Sequence, residues 1–352
     1  MRELFESTIE RLLSDIATPE YVRAAEQNVW PADLWRALEE NGITLAGAPE
    51  EVGGSEASWA DLFVIVRAAG QHAAPVPLVE MLLGNWLLEQ CGIGSRSGIL
   101  TVATDSTLTC SAGALSGELR YVPWGRNAEL VVTVVTSDEG YDVVLLELAA
   151  AERIVEGVNV AGEPRDILHF SAALPLASVP LPAGLSPSVL LAGGAMLRSA
   201  QIAGALTAIM TLTSAYAGER KQFGRPISAF QAIQQQLAVL AEQAAAANIA
   251  AEAAFAQSDT ALATFSIAAA KVSASDAASQ ATSIGHSVHG AIGFTQEYSL
   301  HLLTRRLWAW RSEFGSSTYW SKLLGEAVCN AGAEGFWPLI TQSHNEQRPI
   351  SE

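Results

Sequence analysis

The stretch "GERKQFGRPISAFQAIQQQLA", residues 218–238, decides how the second half of the chain folds. A helical pattern from about Leu190 ends on Glu219 and Arg220, a Gly224-Arg225-Pro226 turn breaks it, and a new helix begins near Phe230. Beyond the turn, Ile233, Leu237, Leu240 and Ala244 recur at helical spacing in an alanine-rich run that allows close helix approach. The spacing predicts an αα-hairpin corner, and a four-helix bundle is the simplest closure. Two readings of the corner follow from chemistry alone. Phe223 and Phe230 staple it while Glu219 and Arg220 are solvated, or the Arg220 guanidinium, beside exposed backbone N–H groups, holds a phosphate.

Working outward, "GILTVAT", "AELVVTVVT" and "YDVVLLEL" are short β-branched runs separated by Gly, Asp and Pro. Before them, "TPEYVRAAEQNVWPADLWRALEENGI" reads as helical, and two more helices are expected on either side of Pro75 and Pro77. The fold class is therefore α+β, mostly α: a helical N-terminal domain over 1–95, a middle antiparallel β domain over 96–185, and a C-terminal four-helix bundle over 186–345. The 352 residues carry a formal net charge of -17. That balance disfavours nucleic acid and anionic membrane surfaces as partners, so an anionic ligand must be met by a local cationic cluster. Cys91, Cys110 and Cys329 form no CxxC pair and fit a reducing compartment. With no leader-like segment and no apolar run near the length of a membrane helix, a cytoplasmic protein without membrane insertion is expected.

Three segments in order resemble the acyl-CoA dehydrogenase family: "PEEVGGSEASWADLFVIVRAAGQHAAPVP" (49–77), "ERKQFGRPISAFQ" (219–231) and "HGAIGFTQEYSLHLLTRR" (289–306). The resemblance implies the same helical, β and bundle order. It also implies FAD as cofactor, an acyl-CoA thioester as substrate and an electron-transfer acceptor as partner. Assembly is expected as a homodimer or homotetramer, or as a hetero-oligomer with a related subunit. It assigns Arg220 to the pyrophosphate of a neighbour's FAD, and Gln222, Phe223 and Gln231 to the same half of the cofactor. Gly290 and Gly293 match the segment beside the ADP portion, although Ser287 and Ala291 depart from the family's Gln and Gly. "LRYVPWGRNAELVVTV" is similar to the strand that sets an aromatic, here Trp124, near the flavin; a plain buried Trp in a β core is the other reading. The family's Thr-Glu-Pro segment has no match between Gly98 and Gly117.

The family's catalytic base is a Glu directly before Gly-Thr. Here "WRSEFGSSTYW" (310–320) puts Phe314 in that place and Glu313 one residue early, with Gly315 and Ser316 following on the cofactor side. One residue is about 100° around a helix. Glu313 is the candidate base, with a pKa raised by burial beside Phe314 if the loop compensates; a solvated Glu313, or one paired with Arg311, is the alternative. The family's other base position, near Ala263 and Thr264, holds no carboxylate. His286, His289 and His301 lack a carboxylate partner at ligand spacing, so no metal is expected. Arg165 and Asp166 read as a local ion pair. Two functions follow: a dehydrogenase in its own right, or a catalytically silent subunit that completes a neighbour's FAD site.

Overall fold

The computed structural model describes residues 1–341; the last residues of the expected bundle, up to 345, lie outside them. Five helices come first: α1 (Arg2–Ile16), α2 (Pro19–Ala25), α3 (Ala32–Glu40), α4 (Trp59–Gln71) and α5 (Leu78–Gln90). The segment read as one helical stretch from Thr18 to Ile43 is two helices, because Asn28 turns left-handed at φ 65° and Pro31 ends the link between them. Ser58 and Asp61 form a reciprocal capping box at the start of α4, satisfying N–H groups that a helix end leaves orphaned.

Nine strands follow: β1 (Leu100–Ala103), β2 (Asp105–Ser106), β3 (Thr109–Ser111), β4 (Ala114–Pro123), β5 (Leu130–Ser137), β6 (Gly140–Glu147), β7 (Arg153–Val155), β8 (Arg165–Ala173) and β9 (Ala177–Pro180). They make one sheet in the order β1-β5-β6-β9 and another in the order β2-β4-β8-β7, with β3 also on β4. The domain is not wholly antiparallel, since β1 runs parallel to β5. Alternation along the strands divides their side chains between two cores. Val144 and Leu146 join Leu119, Leu168 and Phe170 between the sheets, whereas Val143 and Leu145 join the helical core with Leu83, Leu88 and Leu197.

The second half is α6 (Val189–Glu219), a two-stranded ribbon of β10 (Lys221–Gln222) with β11 (Arg225–Pro226), α7 (Gln231–Ala256), α8 (Thr264–His289), α9 (Leu300–Trp310) and α10 (Ser317–Thr341), which breaks at Gly332. α6 runs through the centre. Gly70 of α4 and Gly204 of α6 let these helices meet backbone to backbone: a Cβ on Gly204 would lie 1.9 Å from the Arg67 carbonyl oxygen, and one on Gly70 2.0 Å from that of Gln201. Contrary to the expectation that no run is apolar enough, α6 has the length and hydropathy to cross a membrane. Its most apolar window is 94% buried within the protein, which makes it the core helix around which the other elements pack.

Candidate functional site

A cleft of about 530 Å³ opens where the β domain meets the end of α9 and the loop to α10. Thr104, Arg120 and Tyr121 line its β side, and Trp308, Glu313 and Gly315 its helical side. The loop takes its shape from Phe314 and Gly315, both left-handed at φ 52° and 90°. Such a conformation is strained for Phe, and packing holds it. The Phe314 ring fills the space that a Cβ on Gly194 would occupy at 2.1 Å, while the Phe314 carbonyl accepts from Trp320 Nε1 at 2.9 Å. With Phe314 committed to α6, the preceding carboxylate turns the other way.

Glu313 is thereby delivered into a set of donors. Arg165 from β8 donates through Nε and Nη2 at 2.9 and 2.8 Å, Arg198 from α6 through Nε at 2.9 Å, and Asn159 through Nδ2 at 2.9 Å. Each carboxylate oxygen accepts two hydrogen bonds, which fills the roughly four lone-pair sites of a carboxylate. Burial pushes the Glu313 pKa up, but the Arg165 and Arg198 guanidiniums outweigh it and hold the group well below the usual carboxylate range. This corrects the expected rise. It also corrects the alternative pairing with Arg311, whose guanidinium instead lies over the Trp308 ring at 4.2 Å and donates to Ser279.

The clamp is part of a longer buried chain of charges. Arg198 also donates to Glu80 of α5 at 2.6 Å. Arg165 also donates to Glu163 at 3.1 Å, and Glu163 meets Arg306, whose Nη1 donates to Glu26 at 2.7 Å. Arg165 and Asp166 are not a pair: adjacent strand residues face opposite sides, and Asp166 binds Arg126 instead.

Behind the loop, Lys271 of α8 is fully buried and donates to the carbonyls of Trp310 and Arg311 at 2.8 and 2.9 Å. Burial pushes its pKa down to about 7. A lysine pKa near 7 in the native state against about 10.4 unfolded means that the unfolded chain binds the extra proton between those values, so stability rises with pH across that window. The expected result is that wild type gains stability relative to Lys271→Met by about 1.4 kcal/mol per pH unit above pH 7. Denaturant unfolding of both proteins across that range measures it, and parallel curves would remove the titration.

The other residues singled out by sequence lie apart from this loop. Arg220, Gln222, Phe223 and Gln231 are all exposed on the corner after α6. Phe223 and Gly224 form the tip of the β10–β11 ribbon with φ of 52° and 80°, and Phe223 is 93% exposed. It meets Phe230 edge-on at 6.2 Å, and Arg225 covers the Phe230 ring at 4.2 Å. Arg220 makes no ion pair among the described residues. Gly290 caps α8 at φ 64°, and Gly293 is buried against His289. Trp124 is in the core, edge-on to Trp30 at 6.2 Å, and its neighbour Pro123 rather than its own ring lines the cleft. Ser316 accepts from the Tyr319 N–H at 3.2 Å at the start of α10. Sequence reasoning missed Asn159 and Arg198, and it assigned Arg165 another partner. A basic residue in the middle of the otherwise apolar α6 was the available signal for Arg198.

This arrangement defines a helical, β and bundle protein with a cleft between its β and helical parts. Residues 2–93 match the acyl-CoA dehydrogenase N-terminal domain and residues 188–328 the acyl-CoA dehydrogenase C-terminal domain. The chain belongs to the acyl-CoA dehydrogenase family, whose members are FAD-dependent oxidoreductases. It is 30% identical over 310 residues to acyl-CoA dehydrogenase IpdE2 of Mycobacterium tuberculosis, covering 87% of this chain and 90% of that protein. Its fold matches a chain of the ChsE4-ChsE5 complex from Mycobacterium tuberculosis with a TM-score of 0.82, at 21% identity over 94% of this chain and 98% of that one. Butyryl-CoA dehydrogenase from Megasphaera elsdenii matches with a TM-score of 0.79, at 18% identity over 92% and 97%.

The residues fit FAD in two separate places. The cleft offers flat walls in Tyr121 and Trp308, but its lining cations are tied up, Arg120 by Glu118 at 3.0 Å and Arg165 by Glu313 and Glu163. On the corner after α6, Arg220 makes no ion pair among the described residues, so its guanidinium is available to a pyrophosphate, and it does not line that cleft.

Proposed function

We propose that this chain works as a subunit of an FAD-dependent acyl-CoA dehydrogenase, completing the flavin site of a neighbouring, related subunit with its Arg220 corner. Bound FAD supplies the hydride acceptor for α,β-dehydrogenation of an acyl-CoA thioester. Arg220, Gln222, Phe223 and Gln231 bind and orient it, with Arg220 on the pyrophosphate; Gly290 and Gly293 keep backbone close to the ADP portion. Glu313 is an ion-pair anchor. The observation that carries this reading is its four donors: a base needs a free lone pair within reach of the proton it takes, and Glu313 has all of its acceptor positions engaged. Trp124 and Ser316 serve packing and helix capping on this reading.

A second reading keeps the chemistry in this chain's own cleft, with Glu313 as base; its place on the cleft wall beside Gly315 favours it. Purification separates the two. Protein that is colourless alone and becomes yellow and able to reduce a dye with acyl-CoA only alongside a related subunit supports the first reading. Protein that is yellow and active alone, and inactivated by Glu313→Gln, supports the second.

A further inference from the structure

Arg220 and the Gly290–Gly293 backbone belong to separate segments, and one flavin can meet both only if their spacing is fixed. Residues 220–225 are all exposed, so the corner takes its place from the end of α6. The Arg220 N–H donates to the Tyr216 carbonyl at 2.9 Å, and the Arg220 carbonyl accepts from the Ile227 N–H at 2.8 Å. Both sides of the ribbon thus hang from the last turn of that helix. The turn over Gly290–Phe294 begins where α8 ends on His289. It folds back on that residue, since a Cβ on Gly293 would lie 3.0 Å from the His289 Cβ.

One buried ring joins the two segments. His289 is 3% exposed. Tyr216 of α6 stacks on it at 4.5 Å with planes at 26°, and Tyr298, just before α9, leans on it at 4.9 Å and 53°. Hydrogen bonds fix how the imidazole is turned. A carbonyl can only accept, so Nδ1–H donates to Gly285 at 2.7 Å, and Nε2 of the neutral ring accepts from the Tyr298 hydroxyl at 3.1 Å. Burial pushes the His289 pKa down, which favours that neutral form. The Tyr216 hydroxyl donates to the His289 carbonyl at 3.3 Å, one residue before Gly290. Tyr216 therefore holds the Arg220 backbone with its own carbonyl and the start of the glycine turn with its hydroxyl. Apolar rings would fill the same space; the satisfied polar groups add a single fixed orientation.

We infer that His289, gripped between Tyr216 and Tyr298, is a positioning residue that locks the Arg220 corner and the Gly290–Phe294 turn into one half-site for flavin. It touches no part of the cofactor and acts through the two segments it joins. Two segments already set at the right spacing bind both ends of a ligand without being ordered at that moment, which strengthens binding. The inference rests on the proposal that both segments serve a neighbouring subunit's flavin.

Tyr216→Phe tests it, because it keeps the stacked ring and removes the hydroxyl. In the isolated full chain it should speed amide hydrogen exchange at Ile227 and over residues 290–295 together. In the assembled enzyme it should weaken FAD binding, read by titration, about 3- to 10-fold, the worth of one hydrogen bond. In the Arg220→Ala background the same substitution should cost about 2-fold or less, because it acts through the place where Arg220 is held. A change that only loosened the fold would cost the same in both backgrounds. His289→Phe, which keeps a ring but leaves Tyr298 without its acceptor, should follow the same pattern. With Arg220→Ala impaired, full FAD affinity in Tyr216→Phe, faster exchange in one segment alone, or additive losses in the double variant would each overturn this inference and leave the proposed function standing. Undiminished FAD binding in Arg220→Ala would overturn both.

Discussion

Glu313→Gln is expected to destabilise the protein by about 3–5 kcal/mol, the usual cost of removing one partner from a buried ion pair. The amide keeps the shape of the side chain but leaves Arg165, which is 6% exposed, and Arg198, which is 3% exposed, short of one negative charge. Denaturant unfolding at neutral pH reads the loss directly. The pH dependence has a definite sign. Because the folded pKa lies below the unfolded value of about 4.3, the contribution of Glu313 is complete above that value and is lost as pH falls toward the folded one. Wild type and variant should therefore converge in acid. If Glu313 were a free-standing base, the variant would keep its stability and lose dehydrogenation by roughly 10²- to 10⁴-fold instead, so the two quantities together identify its role.

Arg220→Ala should leave folding unchanged and weaken FAD binding in the assembled enzyme by about 10- to 100-fold, the loss expected when charge-assisted hydrogen bonds worth about 1.5–3 kcal/mol disappear. Folding is spared because the side chain is exposed and makes no ion pair among the described residues. Arg220→Lys should recover only part of the affinity, since an ammonium is a point charge without the planar fork that matches a pyrophosphate. Flavin absorbance retained on the purified assembly, set beside thermal unfolding, gives both readouts. Undiminished flavin content in Arg220→Ala would remove Arg220 from the pyrophosphate.

How much of this was legible in the sequence depends on the distance between partners. Local patterns revealed the corner at Gly224, the strands from Leu130 and Gly140, and the break around Pro75, because each is set by neighbours within one or two turns. The pairing of β1 with β5 was not legible in direction, since a β-branched run carries no polarity. The fate of Glu313 was harder still. Its donors Arg198, Arg165 and Asn159 lie 115, 148 and 154 residues away, and the pKa of a carboxylate belongs to such partners rather than to its own segment. The one-residue displacement was visible in "SEFGSS", but not that Phe314 would bury itself at Gly194 and turn Glu313 toward two arginines.

The relay of buried charges from Glu80 through Arg198, Glu313, Arg165, Glu163 and Arg306 to Glu26 has a consequence for how the molecule comes apart. Its members come in turn from the first helices, the β sheets and the bundle. Parting the first helices from the bundle bares Glu80 and Glu26, and parting the β region from the bundle takes Glu313 from Arg165 and Arg306 from Glu163, so that several buried ion pairs break together. Hinge opening between the regions is thereby suppressed, and the chain should melt as one cooperative unit rather than as three modules. A piece cut from it near residue 185 would carry Glu80 and Glu26 without the Arg198, Arg305 and Arg306 guanidiniums that balance them.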